Sequence, residues 1–115
     1  FLLYDEPPIL KSVYPLRIKG DSMSPRLPSG ALIVARPLNL AAPLRVGDVV
    51  VARRPDRPEL EIIKRIHAID PAGAIFLVGD NSAASTDSRQ FGPVPRDHIV
   101  AQVRWRYWPL PPIRV

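Results

Sequence analysis

The sequence predicts a mostly β protein: one compact antiparallel β-barrel or sheet with few or no helices. Its 115 residues are about the usual length of one domain, and 46% of them are hydrophobic, which is enough to build a core. The 15 prolines fall mostly between short apolar runs. Because proline ends helices and interrupts central strands, these runs are predicted to be strands separated by loops.

Six strands are predicted in chain order, at residues 14–19, 31–35, 49–52, 60–69, 74–78 and 99–107. In the first strand Tyr14, Leu16 and Ile18 share one face, which is the pattern of a half-buried strand. The second and third runs are continuously apolar and are expected to be buried on both faces. The turn at 70–73 is predicted to join the fourth and fifth strands as a hairpin.

The two ends of the chain flank these predicted strands in the sequence. Residues 1–13 form a predicted N-terminal extension and residues 108–115 a proline-rich tail, both within a single domain that covers 1–115. No apolar run approaches the ~20 residues that span a bilayer. The chain begins at Phe1 without a methionine, so membrane association through a missing N-terminal anchor stays open.

Residue usage narrows the chemistry that the chain can perform. The absence of cysteine excludes disulfides, a thiol nucleophile and cysteine-based metal sites. His67 and His98 alone do not supply the three or four ligands of a zinc site, and we expect no metal and no cofactor. The net charge is +5, but the arginines are spread along the chain without a nucleic-acid-binding motif, so no nucleic-acid partner is expected.

The first candidate functional segment follows the first strand. Gly20 breaks that strand, and Ser22 comes two residues later in a loop that the sheet would hold in place. Loops on rigid sheets commonly carry nucleophiles. An ordinary polar turn explains the same residue types equally well, because Gly, Asp, Ser and Pro all favour turns. The segment alone does not decide between the two.

Lys64 is the strongest physical signal in the sequence. Alternation along the fourth strand places it in an apolar row with Ile62 and Ile66, whereas Arg65 falls on the opposite face. Burial disfavours the charged form of a lysine and lowers its pKa. A neutral amine can accept a proton from a serine hydroxyl, which is Ser–Lys nucleophilic catalysis. The alternative is a lysine that buries its stem and keeps its ammonium group in water.

Residues 79–98 form a predicted loop of about 20 residues. A loop of that length without regular structure is uncommon in a compact domain unless it is functional. This loop is therefore the second region in which we look for site residues.

Three motifs, in this order, resemble the signal peptidase I family of Ser–Lys endopeptidases. They are Gly20-Asp21-Ser22-Met23-Ser24-Pro25, then Ile63-Lys64-Arg65-Ile66, and then Gly79-Asp80-Asn81 with Ser85-Thr86-Asp87-Ser88-Arg89 and Phe91-Gly92. The resemblance covers about residues 16–107 and implies a mostly β catalytic domain. It also implies removal of an N-terminal leader or signal peptide, with cleavage after small residues. The protein substrate would bind as an extended strand near residues 14–19.

The resemblance also implies roles for individual residues. It assigns Ser22 as the nucleophile, with its backbone N–H in the oxyanion hole, and Lys64 as the general base. Ser85 matches a serine that orients the lysine amine, and Asp87 and Arg89 match a structural pair that holds the loop against the active site. Some members carry a side-chain oxyanion donor two residues before the nucleophile, where this chain has a glycine.

The chain departs from the family pattern in its size and in two short motifs. Too few residues separate Lys64 from Gly79 to hold the large accessory β-domain of some members, and the usual Gly-Asp pair after the nucleophile loop is Gly30-Ala31. A Pro-Gly-Asp that often follows the lysine strand is replaced by residues 70–73. The small size resembles the proteases that mature nickel-type superoxide dismutases. A protease of that type would be cytoplasmic, whereas one with an upstream anchor would be membrane-associated.

Three other functions stay open at this point. The serine and lysine motifs also resemble self-cleaving repressors of the SOS response, although no Ala-Gly or Cys-Gly cleavage pair precedes residue 72. A non-catalytic basic β-barrel would present Trp105, Tyr107 and Trp108 to nucleic acid or to a membrane interface. A Ser–His enzyme would need His67 or His98 beside a serine.

Overall fold

The computed structural model describes residues 13–115, so the predicted extension at 1–13 lies outside the described residues except for its last position. Its strands are β1 (Tyr14–Arg17), β2 (Leu32–Pro37), β3 (Val49–Arg53), β4 (Glu61–Ile69), β5 (Ile75–Val78), β6 (Ile99–Trp108) and β7 (Ile113–Arg114). Helical structure in this part of the chain is limited to α1 (Ser88–Phe91) and the 3-10 turns Ser82–Ala84 and Arg96–His98. The mostly β prediction is confirmed.

The strands form one open antiparallel sheet. Its order is β1-β2-β6-β3-β4-β5, and β7 pairs with the end of β6. β4 and β5 are the predicted hairpin. Val94 bridges to Ile75 on β5, whereas β1 pairs only with β2 among residues 13–115. The free edge of β1 is therefore open to a further strand.

Two apolar clusters pack on opposite sides of β3. Val49 and Val51 belong to one cluster, and Val50 and Ala52 belong to the other. This two-sided burial is what the continuous apolar run predicted for β3. The same prediction is wrong for the second strand, where burial alternates and Val34 is only half-buried. β2 is separated from the sheet edge only by β1, and one of its faces is less completely covered.

The C-terminal segment is tied to the sheet. β7 adds a short strand within the proline-rich tail, paired with Trp105 and Arg106 of β6. The Arg26 guanidinium donates to the Arg114 carbonyl oxygen at 2.6 Å, and Arg106 donates to the Arg26 carbonyl oxygen at 2.9 Å. Between residues 13 and 115, no helix has the length and apolar character needed to cross a bilayer.

Candidate active site

The loop that carries Ser22 is held from both sides. Before it, Ile18 continues the pairing of β1 with β2, since its N–H donates to Ala31 and its carbonyl oxygen accepts from Gly30, both at 2.8 Å. The chain then turns at Gly20, where φ is +85°. After Ser22, the Met23 side chain is buried in the core. The serine is thereby fixed at the end of a strand with its side chain half-buried.

Lys64 lies in the middle of β4, paired across the sheet with the buried Val50. Its side chain reaches Ser22, where Nζ lies 2.8 Å from Oγ. Lys64 is only 6% exposed. Burial lowers the pKa of its amine, and the negative charge of Asp87 offsets part of that effect. The structure brings together a serine hydroxyl and a lysine whose neutral form is favoured by its surroundings.

Arg65, the next residue along β4, lies on the other face, as the alternation predicted. Its guanidinium forms two hydrogen bonds to the Asp80 carboxylate and one to the Gly47 carbonyl oxygen, each at 2.8 Å. The bidentate pair connects the lysine strand to the start of the 79–98 loop. Sequence reasoning placed both residues in motifs but gave this pair no role. The opposite charges of Arg65 and Asp80 were the only sign of this ion pair in the sequence. Residue spacing does not show which residue of a distant loop will contact a given strand.

The 79–98 loop is also bonded directly to the serine loop. The Asn81 N–H donates to the Ser22 carbonyl oxygen at 2.8 Å, and the Asn81 side chain donates to the Asp21 carbonyl oxygen at 3.2 Å. Gly79 allows this close approach. A Cβ at that position would lie 2.7 Å from the Ser22 carbonyl oxygen and 2.6 Å from Ser85 Cβ.

Asp87 is the centre of a hydrogen-bond cluster in the loop. It is fully buried and caps α1, and its carboxylate accepts from the Gly79 N–H at 2.9 Å, from the Ser85 hydroxyl at 2.7 Å and from the Arg89 guanidinium at 2.8 and 2.9 Å. Burial by itself raises the pKa of this carboxyl. The hydrogen bonds from Arg89, Gly79 and Ser85 outweigh burial and hold the pKa well below its usual range.

Ser85 is placed differently from the orientation that the resemblance implied. Its hydroxyl donates to Asp87, and within the described residues the hydrogen bond of the Lys64 amine goes to Ser22. The structure therefore joins Ser85 to the Asp87 cluster and not to the lysine. Its role in orienting the amine stays a prediction.

The Ser22 backbone N–H forms no hydrogen bond within residues 13–115. The two histidines do not approach the serine. His98 Nδ1 lies 3.1 Å from the Arg53 carbonyl oxygen, and His67 is exposed on β4. The arrangement that a Ser–His enzyme requires does not form in this part of the chain.

A cavity of about 210 Å³ opens beside the serine and the lysine. It lies between the end of β1 and the start of β4, and its apolar lining is Ile18, Met23, Ile62 and Ile63. The sheet curls so that these two strands approach each other. Tyr14 reflects the same approach, because burial and then the charge of Glu61 raise the pKa of its phenol. The cavity connects the open edge of β1 to the Ser22 hydroxyl.

A hydroxyl within hydrogen-bond reach of a buried amine, beside an open strand edge, is an arrangement suited to nucleophilic attack on a peptide. The family model described as signal peptidase, peptidase S26 matches residues 9–71 and 67–108. This chain therefore belongs to the signal peptidase (S26) family, which is a family of proteases.

Several curated proteins are similar to this chain. A mitochondrial ATP-independent inner membrane protease subunit 1b of Arabidopsis thaliana is 36% identical, over 78% of this chain and 67% of that protein. The mitochondrial inner membrane protease subunit 1 of Schizosaccharomyces pombe is 37% identical, over 80% of this chain and 71% of its own length. The Xenopus tropicalis subunit 1 is also 37% identical, but only 50% of its length is covered. A signal peptidase I of Bacillus caldolyticus is 54% identical over a 39-residue stretch, 34% of this chain and 21% of that protein.

Proposed function

We propose that this protein is a Ser–Lys endopeptidase that removes an N-terminal leader or signal peptide from a protein substrate. The observation that carries the proposal is the 2.8 Å separation of Lys64 Nζ and Ser22 Oγ at a lysine that is 6% exposed. Membership of the signal peptidase family supports the same function over that of a self-cleaving repressor. The depressed pKa of Lys64 supports its role as the base.

In the first half of the reaction, the neutral Lys64 amine accepts the proton of the Ser22 hydroxyl. The serine oxygen attacks the scissile carbonyl carbon, and the carbonyl oxygen becomes an oxyanion. The Ser22 backbone N–H donates to that oxyanion. The Lys64 ammonium then protonates the leaving amine as the C–N bond breaks, which leaves an ester between the serine and the leader segment.

In the second half, Lys64 accepts a proton from water, and the resulting hydroxide attacks the ester carbon. The serine oxygen leaves and takes back the proton from the ammonium. The free enzyme and the carboxylate of the leader are regenerated. One lysine therefore acts as base and acid twice in each cycle.

The substrate is proposed to bind as an extended strand along the free edge of β1. Main-chain hydrogen bonds to the edge would align the peptide, and the apolar cavity beside Ser22 would accept a small side chain just before the cleaved bond. A peptide library that varies only this position should be cleaved fastest after Ala or Gly. Equal cleavage after Phe, Arg and Asp would contradict this specificity.

We further propose that the protein acts at a membrane. The relatives whose names include the mitochondrial inner membrane support this location. The looser resemblance to proteases that mature nickel-type superoxide dismutases, which would imply a cytoplasmic location, stays an alternative. Fractionation of cells that express the protein, followed by washing of the membranes at high salt, would distinguish the two locations.

The central experiment replaces each member of the pair. Ser22→Ala and Lys64→Ala should each abolish cleavage of a leader-containing substrate, while circular dichroism and melting temperature show a folded protein. Lys64→Arg should also be inactive, because a guanidinium does not lose its proton in a protein.

The matched control is Ser82→Ala, which removes an exposed serine hydroxyl from the 79–98 loop. This variant should cleave at the wild-type rate. Full activity of a folded Ser22→Ala or Lys64→Ala variant would reject the proposed pair.

A further inference from the structure

A second cavity, of about 460 Å³, lies on the sheet away from the serine and the lysine. The loop at residues 38–48 covers one side of it, and β2, β6 and β7 form the other. It shares no lining residue with the cavity beside Ser22. Its charged and polar lining is Arg36, Arg45, Asp48, Gln102, Arg104 and Arg114.

Strand register relates this cavity to the active site. Arg36 pairs with Gln102, Gln102 pairs with Val50, and Val50 pairs with Lys64. Cross-strand partners share a face, and neighbouring strands lie ~4.8 Å apart. Gln102 is thus two strands, or about 10 Å, from Lys64 on the same face. The fully buried Val50 lies between them in the sheet.

The four arginine side chains of this cavity form no hydrogen bond or ion pair within residues 13–115. Elsewhere in the described chain, Arg54, Arg65 and Arg89 each hold a carboxylate. The side-chain carboxylate in the cavity, that of Asp48, accepts a hydrogen bond from the Arg45 backbone N–H at 3.0 Å. Like charges gathered around one cavity repel one another, so the cluster is stabilised by any anion that enters it.

We propose that this cavity, named here the arginine cavity, binds a phosphate-bearing anion. Planar guanidinium groups bind phosphate oxygens in pairs, and the Gln102 amide adds neutral donors. The four arginines outnumber the two carboxylates of the lining, those of Asp48 and of the Val115 terminus, so the remaining positive charge matches an anion of more than one charge and favours a phosphate over a single carboxylate. The volume is within the usual ~300–1,000 Å³ of small-molecule sites.

The test uses the chain of 115 residues and inorganic pyrophosphate, with binding measured by titration calorimetry at constant ionic strength. The wild type should bind with saturation at one site. The double variant Arg36→Gln/Arg104→Gln should bind at least about 10-fold more weakly, because two charge-assisted hydrogen-bonding groups are lost. The matched control Arg53→Gln/Arg57→Gln removes the same charge from exposed arginines outside the arginine cavity and should bind like the wild type.

A lysine pair separates two causes of weaker pyrophosphate binding, which are the loss of positive charge and the loss of the planar guanidinium group. Arg36→Lys/Arg104→Lys keeps the charge but removes the planar fork, so its affinity should fall between those of the wild type and the glutamine pair. If the glutamine pair does not fold, the single variants Arg36→Gln and Arg114→Gln on exposed positions take its place. Absence of saturable binding by the wild type, or equal weakening by the cavity and control pairs, would overturn the proposal. Tighter binding of a poly-glutamate peptide than of pyrophosphate would overturn it as well.

Vesicles distinguish the source of the phosphate. Phosphatidylcholine vesicles with phosphatidylglycerol should sediment the wild type and the Arg53→Gln/Arg57→Gln control, but not the cavity pair, if the ligand is a lipid headgroup. Pyrophosphate should then release the bound protein. Pyrophosphate binding without any sedimentation would identify a free phosphate compound as the ligand.

Discussion

The surroundings of Lys64 disfavour its charged form, and the neutral form is the one that the proposed mechanism uses. Burial lowers the pKa of its amine, and the Asp87 carboxylate compensates for this only in part. Surface lysines are protonated at neutral pH and are therefore not bases. The same burial that disfavours the charge favours the neutral amine, which is the form that the proposed role as a base requires.

The pH dependence of cleavage should report this lysine. In the proposed mechanism the neutral amine is the base, so kcat/KM should rise with pH, with an apparent pKa below the ~10.4 of an ordinary lysine. Rates of a chromogenic leader peptide over the stable pH range provide the measurement. His67→Ala and His98→Ala should leave the profile unchanged, and a rise near pH ~6.5 that disappears in either variant would assign the base to histidine.

Ser85 provides a prediction about orientation. Its hydrogen is donated to Asp87, so toward an amine its oxygen can act only as an acceptor. An acceptor there would restrict the rotation of the lysine amine during turnover. Ser85→Ala is therefore expected to lower kcat at least ~10-fold, equal to ~1.36 kcal/mol of barrier, with a melting temperature near that of the wild type. Unchanged kcat, or loss of folding, would show that the residue has a different role.

Among the structural elements, the segment from β5 to α1 depends on one buried carboxylate. Asp87→Ala would leave the Gly79 N–H and the Ser85 hydroxyl without their partner, and each buried donor left unsatisfied is expected to cost about 1–3 kcal/mol of unfolding free energy. Arg89→Ala should cost less, because the backbone and Ser85 donors remain. Asp56→Ala, which breaks an exposed pair with Arg54, is the control and should barely change the melting temperature.

The Asp87 cluster also predicts an acid limit. The folded-state pKa of this carboxyl is lower than its unfolded value of ~3.9, so its contribution is fully present above that value. It is lost as pH falls below about 4 toward the folded-state pKa. Urea unfolding at several pH values should show the gap between the wild type and Asp87→Ala narrowing below pH ~4. A gap that does not depend on pH would contradict the assignment.

Gly79 tests the contact between the two loops. A methyl group there has no room between Ser22 and Ser85, so Gly79→Ala should move the loops apart and lower kcat/KM by at least about 10-fold. Gly73→Ala is the comparison, because that glycine has φ +90° but open space around its Cβ position. It should lower stability without changing cleavage by the folded protein. Equal activities of the two variants would show that the loop contact does not position the serine.

At the scale of the whole molecule, burial of the Lys64 amine lowers the stability of the fold near neutral pH. Between the lowered folded-state pKa of Lys64 and the ~10.4 of the unfolded chain, the unfolded state binds more protons, so stability rises with pH. Lys64→Met keeps a side chain of similar length and removes the buried amine, and with it the pH-dependent cost to stability. The variant should be inactive but more stable than the wild type at pH 7, because it no longer buries an amine whose charged form is disfavoured. The difference should narrow toward pH ~10.4, and a less stable Met variant would contradict the cost.

The strands were largely predictable because their signals are local. Alternation at Tyr14, Leu16 and Ile18 and the proline positions required no knowledge of the fold, and alternation separated Lys64 from Arg65 correctly. The second strand shows where prediction of burial from the sequence fails. An apolar run does not reveal how completely the neighbouring strands cover it, and Val34 is consequently more exposed than expected.

The sequence by itself determined the approximate positions of β1 to β6, the absence of thiol chemistry and the residue types Ser22 and Lys64. The separation of their reactive atoms depended on the curl of the sheet, because residues 42 positions apart meet only when β1 approaches β4. The Arg65–Asp80 pair, the bond from Ser85 to Asp87 and the arginine cavity likewise join residues from different strands and loops. Their distances depend on packing and register over the entire sheet, and no local pattern in the chain records them.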